Sequence, residues 1–221
     1  MKIDKKYLNK LHSNPFNYHG SKHRYLKELF SVLPKDKHLK VVDPFVGGGD
    51  LISKLPSTWS VFASDMTPQL IEMHKSIQSN VINSKAVQSA VDFYGVNKTD
   101  EDRYNQLKSI YNSAPMPIEL YTLICHANSN HIRFSKKTGF NVPFGKRLFN
   151  DDMKVKLDNY SESLKHLTVN FECKKYSDVD FNSADLLLID PPYLLTMASY
   201  NKSSKWGVND DFELYNKINK A

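Results

Sequence analysis

Apolar side chains at Leu26, Leu29, Phe30 and Leu33 recur at helical spacing, and Pro34 ends the run, so a helix is expected there. The next apolar stretch, Leu39 to Asp43, reads as a buried strand running into the glycine turn and short helix of DPFVGGGD. WSVFAS alternates as a second strand and closes on Asp65. Thr67 and Pro68 then occupy the N-cap and first-turn positions of a helix with Leu70, Met73, His74 and Ile77 on one face. Strand and helix in alternation are the rhythm of a parallel α/β sheet.

From about residue 85 to 127 the pattern turns mostly helical. Thr99 with Asp100 to Asp102 opens one helix, and PIELYTLICHAN reads as another, buried and apolar. Residues 128–147 carry no periodicity and read as a loop or hairpin; VNFEC (169–173) and DLLLID (185–190) return to strands, and NDDFELYNKINKA reads as one helix. The expected division is 14–65 as the first part of an α/β domain, 66–150 containing an inserted subdomain, and 151–221 as the second part. The polar stretch up to about residue 20 is expected to be a flexible arm as far as NPFNYHG.

Charge sharpens this division. Thirty Lys and Arg against 24 Asp and Glu give +6, but residues 1–40 alone carry +7 and residues 128–147 carry +5 with no acidic residue. The remainder is therefore net acidic. Two basic regions on an acidic body suit a polyanion surface, although solvated lysines on ordinary faces would give the same count. No apolar run approaches membrane-spanning length and no secretory leader is visible, so the chain reads as cytoplasmic. Cys125 and Cys173 have no paired spacing that would suggest a disulfide framework or zinc ribbon. His19 and His23 stand four apart but straddle a glycine without a nearby carboxylate, so no metal site is expected.

DPFVGGGD (43–50) lacks both the dinucleotide GxGxxG pattern and the GK[ST] ending of a phosphate loop. Its glycines permit a tight turn and close ligand approach, and Asp65, 18 positions after Gly47, could accept hydrogen bonds from both hydroxyls of a ribose. An ordinary strand–turn–helix with a capping Asp is the competing reading. DPPY (190–193) is more specific. Asp190 leaves the carboxyl end of an apolar strand, the edge at which Gly47 and Asp65 also emerge. Two prolines offer carbonyls without N–H donors, so Asp190 and the Pro191 carbonyl form an acceptor-only pair suited to an exocyclic amino group. Tyr193 adds a flat face for stacking a base.

A glycine motif, a basic insertion and then DPPY, in that order, resemble the N6-adenine DNA methyltransferases, and more narrowly the T-even phage-type Dam (GATC) methylases. The resemblance rests on YHGSK (18–22), DPFVGG (43–48), SD (64–65), IEMHK (71–75), NHIR (130–133), PFGKR (143–147) and DPPYLLTMASYNK (190–202). It implies a Rossmann-like S-adenosylmethionine-dependent methyltransferase sheet with an inserted, mostly helical DNA-recognition subdomain. It places the cofactor against Tyr18, Lys22, Asp43, Phe45, Gly47, Asp65 and Asp190, with Tyr176 bordering the cofactor adenine. Catalysis falls to Asp190, Pro191, Pro192 and Tyr193 acting on a flipped adenine of double-stranded DNA. Arg133, Pro143 and Arg147 fall in the hairpin that reads the site. An arginine can make bidentate contact with guanine, and Arg147 suits a phosphate equally. His131 stands where the family's segment carries an apolar residue.

Three functions compete: an active adenine methylase, a truncated or inactive methylase that only binds DNA or cofactor, and a methylase for cytosine N4, RNA or a glutamine amide. Aspartate as the first acceptor and the basic insertion favour DNA adenine. Only 28 residues follow Tyr193, whereas the family adds several further strands there, so the C-terminal strands are expected to be missing.

Overall fold

A computed structural model describes residues 15, 16, 18, 22, 25–193 and 206–221. The N-terminal arm, His19, His23 and the LLTMASYNK continuation of the DPPY motif lie outside the described residues.

Four parallel strands form the central sheet in the order β5-β2-β1-β6: β1 Lys40–Asp43, β2 Ser60–Asp65, β5 Thr168–Cys173 and β6 Leu186–Leu187. Strands β1 and β2 read as near-continuous apolar runs because helices cover the sheet, and Val41, Val42, Val61 and Ala63 are buried. In chain order the sheet strands stand 3-2-1-4, so the winding reverses between β1 and β6. The carboxyl ends of those two strands flank the crevice where open α/β sheets take their ligands.

DLLLID forms less regular strand than its pattern suggests. Only Leu186 and Leu187 are in the ladder, although Asp185 N–H donates to Lys40 O and Leu188 N–H to Val42 O on either side. Leu186 to Ile189 are half-buried, and β6 is one of the two edge strands among the described residues.

Helix α1 (Leu26–Val32) precedes the sheet, and α2 (Pro68–Gln78) follows β2 with Leu70, Ile71, Met73, His74 and Ile77 buried. Thr67 holds the N-cap backbone position, but its side chain does not cap the helix. Helices α3 (Ser84–Tyr94), α4 (Glu101–Ser113) and α5 (Pro117–His126) follow, the first two capped by Asn83 and Asp100 side chains that accept from N3 backbone N–H groups. Nearly every residue of α5 is buried, including Glu119, Thr122 and His126 among its apolar side chains. The basic segment forms a short hairpin, β3 (Phe134–Ser135) and β4 (Gly139–Phe140). Helix α6 (Asp151–Lys165), capped by Asn150, returns the chain to β5, and α7 (Val208–Ile218) lies near the carboxyl end of β1. One contiguous apolar cluster runs from the sheet through α2 to α5 and the hairpin residue Phe140. A second, smaller cluster joins Val42, Tyr176, Val179, Phe181 and Leu214 on the other side. No helix among the described residues is long and apolar enough to cross a membrane.

Candidate functional site

The turn after β1 is built on glycine for steric reasons. Gly47 and Gly49 have φ of +49° and +73°, the left-handed region, and a Cβ on Gly47 would meet the Tyr18 ring at 3.2 Å. Tyr18 therefore packs directly on the loop. Gly47 N–H donates to Asp65 Oδ2 at 3.3 Å, and Thr67 N–H donates to Asp65 Oδ1 at 2.8 Å, so one carboxylate ties the ends of β1 and β2 together. Burial pushes the Asp65 carboxyl up, opposed by these backbone donors.

Asp43 lies deeper, 6% exposed, with Oδ1 accepting from Phe45 N–H at 3.0 Å. Burial raises it to about 7 despite that hydrogen bond, and the negative charges of Asp190 and Asp65 push in the same direction. Three carboxylates thus share one edge of the sheet, a field that favours a cationic ligand.

Lys22 answers part of that charge. Its Nζ lies 2.5 Å from Asp190 Oδ2 and donates to the Tyr193 hydroxyl at 3.0 Å, 5.4 Å from the ring centroid. Tyr193 donates to Asp190 Oδ1 at 3.3 Å. Burial lowers the Lys22 ammonium, but its hydrogen bonds and charge contacts with Asp190 and Tyr193 outweigh burial and hold it above the ordinary lysine value. Lys22 N–H also donates to Asp50 Oδ2 at 3.1 Å, which pins the segment carrying Lys22 to the far end of the glycine loop. Pro191 is half-buried; Pro192 and Tyr193 are exposed.

An aromatic cluster stands beside this edge. Phe45 stacks on Tyr176 at 5.5 Å and 29°, and Trp206 completes the group at 5.6 Å from Phe45 and 5.3 Å from Tyr176. Trp206 donates through Nε1 to Asp211 Oδ1 at 2.6 Å, and the Tyr176 hydroxyl donates to Glu213 Oε2 at 3.1 Å, so α7 holds two members of the cluster. Trp206 carried no signal in the sequence, because nothing in its spacing ties it to Phe45, 161 positions earlier. Lys54 was also invisible: 5% exposed, it donates to Asp50 O at 2.7 Å, and burial lowers it to about 8.

A match to the D12 class N6 adenine-specific DNA methyltransferase model spans residues 18–219. The chain belongs to that family. Among curated proteins it is 28% identical over 212 residues to the type II methyltransferase M.FokI of Planomicrobium okeanokoites, an alignment covering 93% of this chain and 32% of that one. It is 30% identical to the modification methylase StsI of Streptococcus sanguinis, covering 96% and 33%, and 24% identical to the DNA adenine methylase of Escherichia coli K12, covering 82% and 65%. The chain spans about a third of the length of the first two relatives. The parallel α/β sheet agrees with an S-adenosylmethionine-dependent methyltransferase fold.

Arg133 of this methyltransferase-family chain immediately precedes the hairpin, and Pro143 and Arg147 stand in the loop after it. All three are exposed. Arg133 donates to Asn141 through Nε at 2.8 Å and through its terminal nitrogen at 2.9 Å, which braces the base of the hairpin. Pro143 O accepts from Asn128 N–H, and Gly145 N–H donates to His126 O, each at 2.9 Å. An added Cβ on Gly145 would collide with the Ala127 carbonyl, so the loop is docked on the end of α5. Lys136 and Lys137 at the hairpin turn and Lys146 in the loop are exposed as well, giving the subdomain a cationic surface. Cys125 is fully buried, and burial raises its thiol, which removes it as a nucleophile. Among the described residues no cluster of three or more His, Cys, Asp or Glu is arranged to hold a metal.

Proposed function

We propose that this chain transfers a methyl group from S-adenosylmethionine to N6 of a flipped adenine in double-stranded DNA, within a GATC-type site. The observation that carries the reading is the proximity of Asp43, Asp65 and Asp190 at the carboxyl side of the sheet, beside the glycine loop that Asp65 holds.

The edge fits the proposed cofactor on its own terms. Asp43 beside Asp65 gives the edge a negative charge that suits a sulfonium, Asp65 retains lone pairs for ribose hydroxyls, and the half-buried Phe45 and Trp206 rings offer apolar surface to a purine. Bound there, S-adenosylmethionine would supply an electrophilic methyl group, its carbon–sulfur bond breaking as N6 attacks so that the neutral thioether leaves, and the proton N6 then sheds would pass to solvent or to the Asp190 carboxylate.

Adenine N6 is a weak nucleophile because its lone pair is conjugated into the ring. Asp190 and the Pro191 carbonyl accept the two amino protons, which favours a pyramidal nitrogen with a localised lone pair. These acceptors therefore bind the transition state more strongly than the ground state. Both Asp190 oxygens are engaged by Lys22 and Tyr193 before substrate arrives. The incoming amino group displaces those contacts, freeing the Lys22 ammonium for an anionic group nearby and the Tyr193 ring for stacking on the extruded base.

The GATC assignment is supported by the resemblance of NHIR and PFGKR and by the exposure of Arg133, Pro143 and Arg147. Release of Arg133 from Asn141 would be needed for bidentate contact with guanine. The division into 14–65, 66–150 and 151–221 fits the same assignment, with α3 to α5 and the hairpin in the middle segment reading DNA. Radiolabelled S-adenosylmethionine incubated with duplexes containing GATC, and with duplexes altered at each base pair, tests the reading. Adenine-specific incorporation lost on alteration supports it; incorporation indifferent to sequence refutes GATC, and cofactor or DNA binding without turnover supports the non-catalytic alternative.

A further inference from the structure

His74 is the most enclosed titratable group near the cofactor loop, and the chemistry of the three carboxylates leaves it unused. It lies on α2 and is fully buried. Its Nε2 is 2.9 Å from Gly47 O and its Nδ1 is 2.8 Å from the Tyr160 hydroxyl on α6. A carbonyl only accepts, so Nε2 carries the hydrogen; Nδ1 of the neutral ring then accepts from Tyr160. The ring stacks on Phe171 at 4.9 Å and 5° and meets Phe16 edge-on at 5.1 Å, which leaves it one orientation. Burial lowers His74 to about 4, so the neutral form persists at physiological pH.

We propose that His74 and Tyr160 are positioning residues that set the glycine loop for cofactor binding. This rests on the methyltransferase reading above. The relay runs from the Tyr160 hydroxyl through the imidazole to the Gly47 carbonyl, and the same glycine's N–H donates to Asp65. Gly47 at φ +49° has little steric reason to hold one peptide orientation, so a fixed donor on its carbonyl selects it. A Cβ on Gly49 would lie 2.5 Å from the Tyr160 oxygen and 3.1 Å from His74 Cε1, so a second loop peptide rests on the same pair. IEMHK thus contributes a loop support as well as a core face.

Hydrogen exchange at the amides of residues 46–50 in the cofactor-free protein, with calorimetric binding of S-adenosylmethionine, separates positioning from bulk stability. His74→Phe keeps an aromatic ring and removes both hydrogen bonds; loop exchange and cofactor Kd should each rise about tenfold, with kcat at saturating cofactor changed less than about twofold. Tyr160→Phe should raise Kd roughly threefold by removing the donor that fixes the tautomer, and His74→Gln, able to donate and accept, should restore Kd to within about threefold of wild type. Should His74→Phe fail to fold, Tyr160→Phe decides between the same outcomes. Unchanged loop exchange with unchanged Kd, or activity falling only with melting temperature, overturns the proposal. A wild-type chain that binds no S-adenosylmethionine, yet shows faster loop exchange in the variants, overturns the methyltransferase reading and leaves the loop support standing.

Discussion

Replacing Asp43 by Asn should stabilise the cofactor-free protein at neutral pH while weakening its grip on a cationic cofactor. Asp43 is nearly inaccessible to water, faces Asp65 and Asp190, and is raised from 3.8 to about 7. A carboxyl raised in the folded state binds its proton more tightly there than in the unfolded chain. Its contribution is therefore fully present below the unfolded value near 3.8, declines as pH rises to about 7, and is flat above that. The difference corresponds to about 4 kcal/mol at 1.36 kcal/mol per pH unit. Asparagine remains neutral and its Oδ1 can still accept from Phe45 N–H, so the variant removes the charge and keeps the turn. Urea unfolding at pH 4.5, 6 and 8 should show the variant ahead by only about 1 kcal/mol at the lowest pH and by up to about 4 kcal/mol at the highest. In melting temperature that gain is roughly 10 °C for a domain of this size. S-adenosylmethionine should lose more affinity to the substitution than the product, whose sulfur is uncharged. A variant that is less stable at pH 8, or that keeps the wild-type pH slope between 4 and 7, would refute the assignment of Asp43 as a strained buried carboxylate.

Four other outcomes follow from the site. Asp190→Ala should abolish detectable methyl transfer, a loss of at least about a thousandfold, and leave the circular dichroism spectrum unchanged; retained methylation of plasmid GATC sites would sink the acceptor role. Cofactor binding should change the emission of Trp206, whereas Trp59, 2% exposed and donating to Asp36 O, should be silent, so Trp206→Phe should erase the response. Gly145→Ala should cost roughly 2 kcal/mol or more by forcing the loop off α5, and DNA affinity should fall while cofactor affinity holds. Arg147→Ala should weaken all DNA sequences alike and reduce the salt slope by about one charge if it contacts phosphate; loss confined to GATC duplexes would make it a base reader instead.

Much of the fold was legible in the sequence because its signals are local. Leu39 to Asp43 and WSVFAS are apolar runs that only a covered sheet explains, and Pro34, Pro68 and Asp100 mark helix ends through chemistry confined to a few residues. Helix α6 was not: residues 151–165 are dominated by Asp, Lys, Asn, Ser and Glu, with Leu157, Tyr160, Ser161 and Leu164 as a thin buried stripe. Its helicity comes from packing and from the Asn150 cap rather than from a broad apolar face. DLLLID erred the other way. Four apolar residues suggest a full strand, yet half-burial at the edge of the described sheet limits the regular ladder to two.

The site divides along the same line. Gly47, Asp65 and Asp190 are recognisable singly because each follows a strand, and parallel strands must bring their carboxyl ends to one edge. What a pattern cannot express is which distant side chains then meet. Lys22 and Asp190 are 168 positions apart, Phe45 and Trp206 161, and His74 and Tyr160 86, and each pair is brought together by the tertiary fold alone. The motifs mark Lys22, Asp190 and Phe45, whereas Trp206 and Tyr160 stand in no motif and His74 reads only as a position on a helix face. Motifs report where the reacting atoms emerge, while the residues that hold those atoms still are chosen by packing. Variants at Trp206, His74 and Tyr160 therefore test the physical reading more severely than variants within DPPY, whose loss any methylase would feel.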